Sequence, residues 1–295
     1  MDEINVIERG SYPESLENMK GPPQRLYYRG VFPAPKEQKY LCVVGSRKWT
    51  SYGRDAVRKI IGGLRGYPIS IVSGLAIGID SIAHISALEA GLHCVAFPGS
   101  TLAWDDIYPS SHIDLAKRIV ENGGALVSQW EIGYPTDKWA FPSRNLVMAG
   151  LSHATLIVEA AYRSGSLMTA EHAEKCHRDV FAIPGPINAA NSYGPHMLIK
   201  NGAALIRSAE DVLHELGFIV QEAGTANGRT WLDPNNRKEF DALSKSILDN
   251  ISREEMSIDA LLEKTRAKPI ELNGKVSALE LKGLIRIEEG VVKIV

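Results

Sequence analysis

The sequence lacks almost every signature that would name a chemistry at once. It has no GxxxxGK[ST] run, which excludes the phosphate loop of the common ATPases, and its first strand-to-helix turn has no GxGxxG. Gly74 and Gly78 are the nearest glycine pair at a strand end, and they are too sparse for a dinucleotide fingerprint. No HExxH or other clustered ligand spacing occurs, and the eight histidines are scattered, so neither a metal nor a cofactor is expected. GxSxG is missing too, which disfavours acyl transfer from a nucleophile elbow. Cysteine is scarce: Cys42, Cys94 and Cys176 form no CxxC pair, and the first two fall in apolar strand-like runs, as buried thiols in a reducing cytoplasm would. No apolar run approaches the roughly 18 residues that span a bilayer, and the polar N-terminus is unlike a signal peptide, so a cytoplasmic protein without membrane contact is expected. An excess of basic charge is also absent. With 33 Lys and Arg against 35 Asp and Glu, any contact with nucleic acid must come from a local patch rather than an overall field.

What is present is alternation. At 295 residues, 44% hydrophobic and 23% charged, the chain is long enough for one large domain and a small one. Short β-branched runs predict strands at Leu41–Val44, Ile69–Val72, His93–Phe97, Ala125–Ser128, Thr155–Val158, Val180–Ile183 and Ala204–Ile206. Between them, helical patterns fall at Gly53–Gly62, Ser81–Ala90, Ile113–Asn122, Leu146–Leu151, Ser166–His177 and Met197–Asn201. Strands alternating with helices give an α/β fold, a doubly wound and mostly parallel sheet. Four segments follow: a lead-in over residues 1–35 that packs on the main domain, with a strand at Arg25–Arg29 on a sheet edge; the main domain over 36–217; a linker over 218–234; and a compact tail over 235–295. The tail reads as three helices, the second opened by Ser257, and a hairpin turning at Glu289-Gly290, the pattern of a winged helix-turn-helix. Its third helix carries Glu271, Lys275 and Glu280, a mixed charge that suits duplex contact, protein binding or a structural role alike.

Ligands of such sheets sit beyond the carboxyl ends of the strands. Small and polar residues recur there: Gly45-Ser46-Arg47, Ser73-Gly74, Pro98-Gly99-Ser100, Glu159 and Pro184-Gly185. The stretch Ile69–Ala83 is central, because a strand that feeds a helix through small residues leaves backbone N–H groups able to attract phosphate.

Specific strings sharpen this. VVGSR (Val43–Arg47), SGLAIGIDSIAH (Ser73–His84), IYP (Ile107–Pro109), FPSRN (Phe141–Asn145), AGLS (Ala149–Ser152), VEAAYRSGSLMTAEHA (Val158–Ala173), FAIPG (Phe181–Gly185) and LIKNGA (Leu198–Ala203) resemble, in order, the DprA or Smf family of DNA-processing proteins. The resemblance runs from about Tyr12 to Leu216, and the family also carries a C-terminal winged helix; the SAM-like N-terminal domain of some members is not evident. It implies an extended Rossmann-like domain that binds single-stranded DNA, forms a homodimer and loads the RecA recombinase during natural transformation, with no turnover. Leu146 departs from the family's usual FPxRNR, which implies a shallower basic groove.

Within that reading, Arg47 grips a phosphate while amides near Gly78 and Ile79 share its charge; pairing of Arg47 with Asp80 as a structural clamp is the alternative. Lys138, Ser143, Arg144 and Asn145 accompany Trp139 and Phe141, interleaving cations with rings as a strand-binding groove requires, unless those rings are core. Ser164, Gly165, Ser166 and Thr169 open a helix that can donate to a second phosphate, and Gly45, Ser46, Ser73, Gly74 and Asp80, the last as a helix cap that also orients Arg47, complete the expected interface. His196, Met197, Leu198 and Ile199 are expected at the dimer contact, with core packing as the alternative. Asp80 and Glu159 near an anion site suggest a different function, a nucleotide or N-glycosidic hydrolase like the lysine-decarboxylase-like phosphoribohydrolases. Those enzymes carry PGGxGTxxE where this chain has EAAYRSGSLMTA.

Overall fold

The computed structural model describes residues 3–19, 21–34, 38–135, 137, 139–218, 240–251, 255–281, 284–288 and 290–294. Two compact units are present, residues 1–220 and 221–295.

The first unit contains, in chain order, β1 (Asn5–Glu8), α1 (Glu14–Glu17), β2 (Arg25–Gly30), β3 (Lys39–Val44), α2 (Ser51–Gly63), β4 (Ile69–Ser73), α3 (Ile79–Glu89), β5 (His93–Ala96) and α4 (Ile113–Glu121). It continues with β6 (Ala125–Ser128), α5 (Ala140–Leu151), β7 (Ala154–Ile157), α6 (Gly165–Lys175), β8 (Asp179–Ala182), α7 (Tyr193–Lys200), β9 (Ala204–Leu205) and α8 (Ala209–Glu215). The strands form one sheet in the order β1-β2-β6-β5-β4-β3-β7-β8-β9. From β6 to β9 every neighbouring pair is parallel, while β2 runs antiparallel to β6 and β1 antiparallel to β2. The chain starts its parallel sheet at the centre with β3, builds outward through β4, β5 and β6, then returns to the other side of β3 with β7. Loops leaving β3 and β7 therefore diverge, and the crevice between them is the place where such a sheet accepts a ligand.

Both faces of the sheet are covered. One apolar layer holds Val57, Ile60, Ile61 and Leu64 of α2 and its cap with residues of α3, α4 and α8; the other holds Leu16, Val147, Met148, Leu151, Ala170, Ala173 and Leu198 from α1, α5, α6 and α7. The spacing of Val57, Ile60, Ile61 and Leu64 is that of one helical face, and Thr50 starts the helix by accepting the Gly53 N–H. All of β4 is buried, as a strand sandwiched between helices must be. Cys42, Cys94 and Cys176 are free and buried.

The second unit contains α9 (Ala242–Ile251), β10 (Met256–Ser257), α10 (Ile258–Thr265), α11 (Pro269–Leu281), β11 (Ile285–Glu288) and β12 (Val291–Ile294). Its sheet order is β10-β12-β11, and its core is its own, built on Ile247, Leu248, Leu261, Leu272, Val276, Leu279 and Val292. Ser257 caps α10 by accepting the Ala260 N–H, and Gly290 takes a positive φ of 80° at the hairpin turn.

Three expectations change. The Arg25–Arg29 strand is not at the sheet edge, because Asn5–Glu8 pairs along its outer side. The helix expected at Leu146–Leu151 begins at Ala140, and the one at Met197–Asn201 begins at Tyr193. Both carry proline as their third residue, Pro142 and Pro195, where a missing N–H has no intrahelical partner to lose. Of the expected linker over 218–234, only Phe218 lies among the described residues, and its ring packs edge-on against Tyr67 at 5.7 Å.

Candidate nucleic-acid interface

A groove of about 480 Å³ opens at the divergence of β3 and β7. The loop after β3 supplies Gly45, Ser46, Arg47 and Lys48; α5 supplies Phe141, Pro142, Arg144 and Asn145; the start of α6 supplies Ser164, Gly165, Ser166, Met168 and Thr169. Asp80 and Ala76 from the β4 side and Asn191 from the loop before α7 complete it. Most residues expected at the interface thus converge on one rim of the sheet. Lys48, Met168 and Asn191 were not expected. Asn191 donates its side-chain N–H to the Lys48 carbonyl at 2.8 Å, a tie across 143 positions of sequence that no local pattern announces.

The floor is a buried polar cluster. Asp80 accepts the Gly74 N–H at 3.1 Å, while Arg144 Nη1 donates to the carbonyls of Gly74 and Phe97. A β-carbon on Gly74 would stand 2.0 Å from Arg144 Nη1 and 2.6 Å from Asp80 Oδ2, so any larger residue there would displace both side chains. Burial pushes the Asp80 carboxyl up, with the Arg144 charge opposing the rise; burial pulls Arg144 down, with Asp80 opposing. Arg144 is 5% exposed, and its Nε is buried with no hydrogen-bond partner. The side chain therefore ties the loops after β4 and β5 to α5.

Arg47 has the opposite character. It is exposed and, among the described residues, forms no ion pair, so the clamp on Asp80 is not made; Gly74 and Gly45 amides with Arg144 fill that role. Its guanidinium stands 5.9 Å from the centroid of the Phe141 ring, and the Arg144 guanidinium is equally distant. Phe141 is half-buried and Trp139 is 78% exposed, so neither ring is committed to the core.

Other expected residues are used internally. Ser73 is fully buried and donates its hydroxyl to the Val43 carbonyl at 2.6 Å; the Ile79 amide donates to the Ser46 carbonyl at 3.2 Å, and its side chain is core. Gly78, at a φ of 100°, allows the approach: a β-carbon on it would lie 2.4 Å from the Ser46 oxygen. The α3 entrance is thus knitted into the β3 loop instead of presenting Ile79 or Gly74 amides to phosphate. The α6 entrance is the open one. Gly165 is exposed there, Ser164 caps by accepting the Ser166 N–H at 3.4 Å, and the helix is long enough for its dipole to favour an anion. Ser143 is exposed and bonds Gln129 at 3.1 Å outside the groove, and Lys138 lies outside the described residues.

Glu159 is buried behind the groove. It accepts the Thr50 N–H at 3.0 Å and the Thr50 hydroxyl, and its carboxylate packs against Gly53 at the start of α2. It serves that helix N-terminus as a built-in anion. Both carboxylates that suggested a hydrolase are therefore bonded to backbone.

Residues 3–217 match the family model described as DNA recombination-mediator protein A. The chain belongs to that family. Residues 233–290 match the DprA winged helix domain. The chain is 36% identical over 279 residues to Protein Smf of Escherichia coli, across 95% of this chain and 74% of that one. It is 41% identical over 207 residues to the DNA processing protein DprA of Streptococcus pneumoniae, across 70% and 72%. The X-ray structure of the Streptococcus pneumoniae protein superposes with a TM-score of 0.67 at 38% identity, covering 72% of this chain and 75% of that one. A Helicobacter pylori DNA processing protein A, solved for its single-stranded DNA binding mode, superposes with a TM-score of 0.64 at 26% identity, covering 72% and 95%.

The segment expected at a dimer contact divides by helical face. Leu198 is 5% exposed and belongs to the core, and Ile199 packs against that core, so these two face the interior of the first unit. Met197 is exposed beside Tyr193 and Ile187, which is 96% exposed, and His196 is half-buried with Nε2 at 2.9 Å from the Gly185 carbonyl. Among the described residues no helix is long and apolar enough to cross a membrane, and no group of His, Cys, Asp and Glu side chains could hold a metal.

Proposed function

We propose that this chain binds single-stranded DNA in the β3–β7 groove and, as a homodimer, places RecA on the strand, acting by binding and not by turnover. The observation that carries the reading is the pairing of the exposed Arg47 guanidinium with the Phe141 ring at 5.9 Å, opposite the open α6 entrance. Unpaired DNA asks for both partners, cations and amides for phosphates and flat surfaces for bases. The Helicobacter pylori relative, solved for its single-stranded DNA binding mode, lends support. The hydrolase alternative is weakened, because Asp80 and Glu159, the two carboxylates that suggested it, already accept backbone N–H groups.

Titrating the full chain with fluorescent oligo-dT and with duplex of equal length, at two salt concentrations, tests this. Three or four phosphates neutralised per subunit give a slope of about −2 to −3 in log K against log salt, at roughly 0.7 per contact. Equal affinity for duplex, or a flat salt response, would remove the groove from the account. Release of base or sugar from nucleotides would promote the enzyme instead.

A further inference from the structure

Lys48 lines the groove, and the next residue, Trp49, lies outside its wall at the entrance to α2. We infer that the single strand leaving the groove passes over the Trp49 ring and runs along the outward side of α2, where Arg54, Arg58 and Lys59 hold its phosphates; this rests on the single-strand reading of the groove.

Three observations meet on this side of the molecule. The first is a ring with a cation against it. Trp49 is 42% exposed, and the Arg54 guanidinium stands 5.6 Å from its ring centroid. Trp49 precedes the Thr50 cap and Arg54 is the fourth residue of α2, the pair of positions at which two apolar side chains commonly staple a helix entrance. A staple accounts for the contact. It does not account for a guanidinium in place of an apolar side chain, or for a large ring left open to solvent. The second is the placing of charge. From residue 47 to residue 59 five cations face one acid, Asp55, in a chain where 33 Lys and Arg are outnumbered by 35 Asp and Glu. Arg58 and Lys59 are exposed, and Asp55 is bonded to Arg54 at 2.8 Å. Helix α2 has no acid in its first turn and no base in its last, so its cations do not serve the helix dipole, and Arg54 and Arg58, four residues apart, repel each other. An arrangement that costs the helix stability while concentrating positive charge suits a polyanion. The third is continuity. The Asn191 side chain holds the Lys48 carbonyl at 2.8 Å, and Glu159 accepts the Thr50 N–H at 3.0 Å, so the backbone on both sides of Trp49 is fixed beside the groove. A strand that leaves past Lys48 meets the ring next and the α2 cations after it. Stacking on a ring and phosphate contact beyond it are the two contacts that unpaired polynucleotide makes without regard to sequence.

The test measures the affinity of the full chain for oligo-dT of increasing length, from about 4 to about 16 nucleotides, at two salt concentrations. Short strands fill the groove alone; long ones reach α2. Trp49→Ala is expected to leave short strands unaffected and to weaken long ones about 5- to 150-fold, and Trp49→Phe, which keeps a ring, to restore them. Arg58→Ala combined with Lys59→Ala, two exposed changes, should flatten the salt slope on long strands by about 1.4, at roughly 0.7 per phosphate contact, and leave the slope on short strands as it is. That variant decides the matter should Trp49→Ala melt early. Avidity between two grooves would depend on neither change. Wild-type affinity for long strands in Trp49→Ala or in the double variant overturns the path, as does an equal loss on short and long strands, or a loss confined to duplex. A wild type that binds no short strand overturns the groove itself.

Discussion

The two arginines of the groove differ by burial, and burial assigns them different work. Arg47 stands in solvent, where on the proposed reading it would exchange water for phosphate; Arg144 spends one nitrogen on two loop carbonyls. Arg47→Ala is expected to weaken every oligonucleotide alike and to flatten the salt slope by about 0.7, read by fluorescence anisotropy at two salt concentrations. Sequence-dependent loss would mean that it reads bases instead. Arg144→Met leaves Asp80 buried without its opposing charge, at a cost of about 3–5 kcal/mol near neutral pH. A carboxyl whose folded pKa is raised penalises the fold when ionised, and the penalty lapses as pH drops through that value. Because burial already raises Asp80 and Arg144 opposes the rise, the substitution lifts it further. The stability gap to wild type, measured by urea unfolding, therefore narrows as pH falls; a gap independent of pH would place the cost elsewhere.

Elements were legible where their signal is local. The central strands match expectation to within a residue or two because β-branched runs buried on both faces need no partner to be recognised. Strand β1 is mostly exposed although it carries Val6 and Ile7, and β10 is two residues long, so both exist only through their neighbours. Helix α8 was missed although Ser208 accepts the Asp211 N–H at 3.3 Å, a start signal present in the sequence. In the winged unit, Asp241 joins two elements: it accepts the Ser244 N–H of α9 at 2.8 Å and pairs with Lys275 of α11. The Lys275 hydrogen bond, with the Ser244 amide, holds its carboxyl down at about 2. A depressed folded pKa contributes stability above the ordinary value of 3.8 that is lost as pH falls toward about 2. Both partners are partly exposed, so Asp241→Asn is expected to cost only about 0.2–1 kcal/mol at pH 7. Thermal melts of the two proteins should converge near pH 2, and a difference that persists there would implicate the cap instead of the charge.

For the whole molecule, the proposed dimer turns on one helix with two faces. Met197→Glu, on the exposed side of α7, is expected to give monomers by light scattering with an unchanged melting temperature. Leu198→Glu buries a charge in the core and should lower the melting temperature before it changes the mass. Two grooves carried on one dimer would raise the effective concentration of strand at the second site, so the Met197→Glu monomer should lose affinity for long oligonucleotides more than for short ones.

Sequence alone determined the alternation of strands and helices, the parallel sheet, the winged tail and the family, because each is written in local periodicity or in contiguous strings. Tertiary structure decided which polar side chains face the groove. Nothing near Arg144 in the chain foretells its burial, since the carbonyls that hold it lie 47 and 70 positions away. Glu159 is likewise taken by a threonine 109 positions distant. Exposure is a property of what packs against a residue, and that is settled only when the loops of a parallel sheet meet at its rim.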